Sequence, residues 1–153
     1  MKKLISTSIF IIGIVSLTFA QTKKKEIRSI TIAFNTTTND KDHDTYLDVY
    51  LNFHDYQDNT DYYIAKKTGI GGHWNDHSSN VITLDLSGKY DLENYKNAFM
   101  KLHISPNGND KWEFDYIVNI TYVDENNNSR TLTKEYKGKV LTQDNPDTSD
   151  PIF

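Results

Sequence analysis

Apolar and polar residues alternate along most of this chain with a period of two. Ile30, Ile32 and Phe34 alternate with Thr31 and Ala33. Leu47, Val49, Leu51 and Phe53 alternate with Asp48, Tyr50 and Asn52, the cleanest half-buried strand of the sequence. Tyr62 to Ala65 is a shorter candidate, followed by Ile82, Leu84 and Leu86, and then by Met100, Leu102 and Ile104. The longest alternation holds Trp112, Phe114, Tyr116, Val118, Ile120 and Tyr122. Thr131 to Tyr136 is a weaker run, in which Lys134 and Glu135 predict an edge strand at best. No segment carries a helical stripe, and Tyr90 to Lys96 has room for a single helical turn.

Turn chemistry separates these runs. Asn35 to Thr45 is rich in Asn, Asp and Thr, and Thr68 to Gly72 forms a glycine-rich bend. Pro106-Asn107-Gly108-Asn109-Asp110 is a tight connection, and Asp124 to Ser129 is a polar turn. About seven short strands joined this way predict an all-β fold, a sandwich or a barrel.

The first twenty residues change the address rather than the fold. Met1-Lys2-Lys3 precedes an uncharged apolar run from Leu4 to Phe19, and Thr18-Phe19-Ala20 ends it with small residues. That order is a secretory signal peptide, residues 1–20, with cleavage expected after Ala20. The alternative, a membrane anchor, needs about 20 apolar residues. Export to a periplasm or the extracellular space is therefore expected. The domain is expected over 21–141, and the polar stretch 142–153, with Pro146 and Pro151, is expected to be a disordered tail.

Composition then removes several functions. Loss of Lys2 and Lys3 with the leader moves the net charge from −4 to −6. A nucleic-acid partner is not expected, because such affinity rests on Lys and Arg neutralising phosphates. The chain has no cysteine, which excludes thiol nucleophiles, Cys-ligated metal centres and disulfide staples.

Three segments carry candidate chemistry. Asp40, Asp42 and Asp44 stand at every second residue, a spacing that lets carboxylates converge on one cation; an ordinary solvated acidic turn has the same spacing. Asp110 lies just before the longest strand, where it can line a second loop or serve only its own turn. In Gly71 to His77, His73 and His77 lack the Glu of a zinc-protease motif. Trp74 in that loop is expected either to be exposed, entering a membrane interface or stacking on a ligand, or to cover an open edge of the core. Glu113 and Asp115 share one face of a strand and are the residue types of a glycosidase pair, though surface carboxylates on strands are common.

Two of these segments, in order and separation, make the chain resemble the PLAT domain, also called LH2 or lipoxygenase-homology domain. It is most similar to the C-terminal membrane-binding domain of clostridial alpha-toxin-like phospholipases C. Ile30-Thr31-Ile32 is followed by Lys41-Asp42-His43-Asp44-Thr45 and by Asp48-Val49-Tyr50-Leu51. Phe99 to Ile104 leads to Asp110-Lys111-Trp112 and then to Asp115-Tyr116-Ile117. The likeness runs from Ile27 to Val123.

The resemblance implies an antiparallel sandwich of about eight strands. It implies a calcium ion held by Asp42, Asp110 and the backbone carbonyl of Lys111, with Asp44 standing where the family has glycine. His73 and Trp74 would then meet lipid or a partner. The expected function is non-catalytic attachment, dependent on calcium, to a membrane lipid or a protein partner. The alternatives are a carbohydrate- or protein-binding sandwich without metal, and a small secreted hydrolase using Glu113, Asp115 or the His73–His77 segment.

Overall fold

The computed structural model describes residues 24–153, so the expected signal peptide lies outside the described residues. What is described is almost all β, in two antiparallel sheets packed face to face. Chain order gives β1 (Glu26–Thr36), β2 (Tyr46–Asp55), β3 (Thr60–Ile70), β4 (Ser79–Thr83) and β5 (Asp85–Leu86). There follow a short 3-10 turn (Leu92–Asn94), β6 (Ala98–Ser105), β7 (Lys111–Val123), β8 (Ser129–Thr142) and β9 (Asp147–Pro151). One sheet has the order β4-β1-β7-β8, and the other β5-β3-β2-β6-β9.

The alternation decides which way each strand faces. Ile30, Ile32 and Phe34 of β1, and Trp112, Phe114 and Tyr116 of β7, point inward from the four-stranded sheet. Leu47, Val49 and Leu51 of β2, with Met100, Leu102 and Ile104 of β6, meet them from the other sheet. All twelve are at most 1 % exposed. At about 25 cal/mol per Å² of apolar surface removed from water, this interior is the dominant stabilising term. It also explains how the chain stands without disulfides.

Four register shifts interrupt the ladders among the described residues, and two of them shape the packing around the candidate sites. The β7–β8 register shifts between Phe114 and Tyr116, and Gly138 takes φ +62° there. Asp115 closes this bulge by accepting the Gly138 N–H at 2.7 Å. The β2–β3 register shifts between Leu51 and Asn52, so Ile64 and Ala65 are both buried in succession.

The stretch 142–153, expected to be a disordered tail, is a correction. It forms β9, which pairs antiparallel with β6 from Phe99–Pro151 to His103–Asp147. Its sequence is polar because it is an edge strand, exposed on its outer face. Its anchors are few: Ile152 is fully buried, and Asp150 accepts from Tyr116 Oη at 2.7 Å and from Lys139 Nζ. A strand held by one apolar residue and one carboxylate carries no period-two signal. β8 is longer than the expected edge strand but does lie at the sheet edge.

Candidate functional site

Two regions hold the chemistry. The first is the end of the sandwich where the β1–β2, β3–β4 and β6–β7 connections meet. Lys41 and Trp74 form an isolated antiparallel bridge there, with N–H to carbonyl distances of 3.1 and 3.0 Å. The bridge carries both side chains inward. Lys41 is fully buried, and its ammonium donates to the carbonyls of Thr45 and Gly72, both at 2.6 Å, and of Asp42 at 3.2 Å. It also lies 5.4 Å from the centroid of the Trp74 ring. Burial pushes the Lys41 ammonium below its usual pKa, against the pull of Asp110, Asp42 and Asp44.

The carboxylates that the resemblance nominates thus lie within electrostatic reach of a cation, the Lys41 ammonium, whose direct partners are backbone carbonyls. Asp110 is buried and accepts from the Thr45 hydroxyl, while Asp44 accepts from Asn107 Nδ2 at 3.1 Å. Asp42 is exposed. Lys111 opens β7 opposite Thr142, and its side chain pairs with Glu113. A calcium ion between Asp42, Asp110 and the Lys111 carbonyl does not fit this arrangement. The junction of the loops is already filled by a tethered positive charge, and Asp110 is already engaged.

Among the described residues, the side chains close enough to share an ion are instead Asp40, Asp42 and His73, with ligand atoms within 4.8 Å of one another. All three sit at the surface, and His73 Nε2 contacts the Asp40 carboxylate directly.

Of the two expectations for Trp74, exposure to a membrane or ligand is corrected and cover of the open core edge is what the structure has. Trp74 is 6 % exposed, packed on Phe34 at 5.4 Å and edge-on against Trp112 at 5.3 Å between centroids. It closes the open end of the core, which leaves His73 as the exposed member of that pair. Glu113 is held by Lys111, Thr38 and Asn39, which keep its carboxyl down at about 2. Asp115 is spent on the Gly138 bulge. The lowered Glu113 carboxyl is the opposite of what a general acid needs, which is a raised pKa.

The second region escaped the sequence reading. The outer face of the five-stranded sheet is hollowed into an open groove of about 480 Å³. Tyr50 and Asn52 of β2 form its floor, with Asp61 and Tyr63 of β3 on one side and Lys101 and His103 of β6 on the other. Asp147 of β9 closes the far rim, where it meets His103 Nδ1 at 3.1 Å and Lys101 Nζ at 3.7 Å. Tyr63 is 48 % exposed, and the Lys66 ammonium lies 4.7 Å from its ring centroid. Asn52 Oδ1 is shielded from solvent and has no hydrogen-bond partner among the described residues. The signal was present in the outward half of each alternation, Tyr50 and Asn52 between the core positions of β2, and Lys101 and His103 between those of β6. Register then brings them together: Tyr50 lies opposite Lys101, and Asn52 opposite Tyr63. No family model, curated protein or solved structure matches the chain.

Proposed function

We propose that this protein is an exported, non-catalytic binding module that holds its loop end together without calcium and meets its ligand on the outer face of the five-stranded sheet. The observation that carries this is the groove over β2, β3, β6 and β9, with the unpartnered Asn52 oxygen in its floor. Buried polar atoms in folded proteins are almost always paired, so one left unpaired beneath the floor of a concave site fits a ligand that completes it when the floor opens. The Lys41 cage supports the calcium-free half of the proposal, since three carbonyls that could serve a metal already serve an ammonium. The engagement of Glu113 and Asp115 in local contacts supports the non-catalytic half.

A second reading keeps the PLAT-like function, calcium-dependent attachment to lipid or a protein partner, with the ion moved to Asp40, Asp42 and His73. The convergence of those three side chains favours it. Against it, calcium takes about 6–8 oxygen ligands, and this trio offers an imidazole nitrogen in place of one.

Thermal unfolding in EDTA and then in millimolar calcium separates the two. The expected result is an unchanged midpoint. A rise that disappears in Asp42→Ala would restore the calcium reading. Ligand recovered chemically intact after prolonged incubation is expected; its cleavage would remove the non-catalytic claim.

A further inference from the structure

The groove also says what kind of ligand it suits. We infer that it binds an uncharged oligosaccharide, laid across β3, β2 and β6. This rests on the proposal that the sheet face is the ligand surface.

Three properties of the groove converge on that class. The first is charge. Asp147 is shared by His103 and Lys101, and Asp61 accepts from His54 Nδ1 at 2.7 Å. Each carboxylate thus already has a partner, Lys101 and His103 for Asp147 and His54 beside the wall for Asp61, so a charged ligand would have to compete with contacts the wall already makes. A neutral ligand meets only hydrogen-bonding capacity.

The second is the pattern of that capacity. A sugar hydroxyl both donates and accepts, so its site needs acceptors and donors side by side. The groove presents an acceptor in the Asp61 carboxylate, and donors in the Lys101 ammonium and the Tyr50 hydroxyl, with the Asn52 oxygen shielded beneath them. Tyr50 is only weakly committed, with its hydroxyl 3.4 Å from Asp48 Oδ2. A ligand hydroxyl supplies the donor that the Asn52 oxygen lacks once the floor side chains part to admit it.

The third is shape. The site is open rather than enclosed, with Tyr50 in its floor and Tyr63 beside it on the adjacent strand. Aromatic faces take up the C–H faces of pyranose rings, and their polar tips keep the rim wet. An open groove admits an internal stretch of a chain. Its volume of about 480 Å³ falls within the range of small-ligand sites, roughly 300–1,000 Å³.

Affinity electrophoresis of the protein through gels containing single polysaccharides tests this. The panel holds neutral β-glucan, mannan and xylan beside anionic alginate and hyaluronan. Retardation by at least one neutral polymer, unaffected by EDTA, is expected. Binding should fall tenfold or more in Tyr63→Ala and in Asn52→Leu, with the unfolding midpoint of the first near that of the parent and that of the second no lower. Tyr56→Ala, on an exposed turn outside the groove, should bind as the parent does. Retention only by the anionic polymers, retention that survives Tyr63→Ala and Asn52→Leu, or no retention by any neutral polymer each overturns the saccharide assignment. Capture by vesicles or a purified protein through this face would sink the saccharide and leave the binding module standing. A neutral glycan that is bound and cut would do the reverse.

Discussion

The loop end and the sheet-face groove are both rich in polar side chains, and they treat them in opposite ways. At the loop end no buried side-chain donor or acceptor among the described residues is left without a partner. Lys41 meets three carbonyls, Asp110 meets Thr45, and the Trp112 indole N–H reaches Thr36 Oγ1 at 3.1 Å. In the groove the charges are balanced but the hydrogen-bonding groups are not saturated, and the Asn52 oxygen has no partner among the described residues. A closed network stabilises the fold and has nothing left for a ligand. An open one costs stability and is retained where a ligand completes it. That contrast is what supports the proposal that the quieter sheet face, rather than the acidic loop, is the recognition surface.

The largest effect expected from this contrast is at Lys41. Lys41→Met keeps most of the volume and removes the ammonium, leaving three carbonyls and Asp110 without their buried cation. A loss of about 3–5 kcal/mol is expected, as for breaking one partner of a buried ionic arrangement. Urea denaturation measures it, and an unchanged midpoint would mean that the cage is incidental. Trp74→Ala comes next, at about 3 kcal/mol, because it opens a cavity against Phe34 and Trp112. An exposed tryptophan would cost almost nothing when removed, so the same denaturation curve tests the burial directly.

A subtler effect separates the loop end from the groove by pH. Glu113 is pulled down to about 2 by Lys111, Thr38 and Asn39, and its neighbouring backbone N–H donates to Asn39 O at 3.1 Å. A carboxyl whose folded value lies below its unfolded one binds fewer protons when folded. Its contribution is therefore complete above about pH 4.5 and fades as pH falls toward 2. Near-UV circular dichroism of Trp74 and Trp112 should report loosening of this end in that window. In Glu113→Gln the acid-dependent part of the signal should be smaller. A curve identical to the parent's would show that the Glu113 contacts do not hold the loop.

The sequence made the sandwich legible because its core positions obey a strict period. β1, β2, β6 and β7 each present three or more large apolar residues at alternate places, and little else competes with that pattern. The short strands were harder. β9 is Asp-Thr-Ser-Asp-Pro, and only its pairing with β6 and the neighbouring Ile152 make it a strand. At the loop end, the sequence shows the carboxylates but not what they face. Asp110, Asp42 and Asp44 all act electrostatically on Lys41, and that depends on which way one lysine turns. That direction is set by the Lys41–Trp74 bridge, a contact between residues far apart in the chain. The groove depends on register across four strands, and register is invisible in any one of them.

The smallest expected effect also has the opposite sign, and it is the sharpest test of the contrast. Asn52→Leu removes a shielded oxygen that nothing in the described chain satisfies, and puts an apolar side chain on a half-buried position beside Tyr63 and Phe99. Deleting an unsatisfied polar group relieves its desolvation penalty, and a gain of about 0.5–1 kcal/mol is expected. Leucine is also a poorer strand former than a β-branched residue, which holds the gain at the low end of that range. A polar residue whose removal stabilises the fold but abolishes ligand retention is kept for the ligand. If Asn52→Leu instead destabilises as Lys41→Met does, the groove is a closed network too, and the distinction between the two regions is lost.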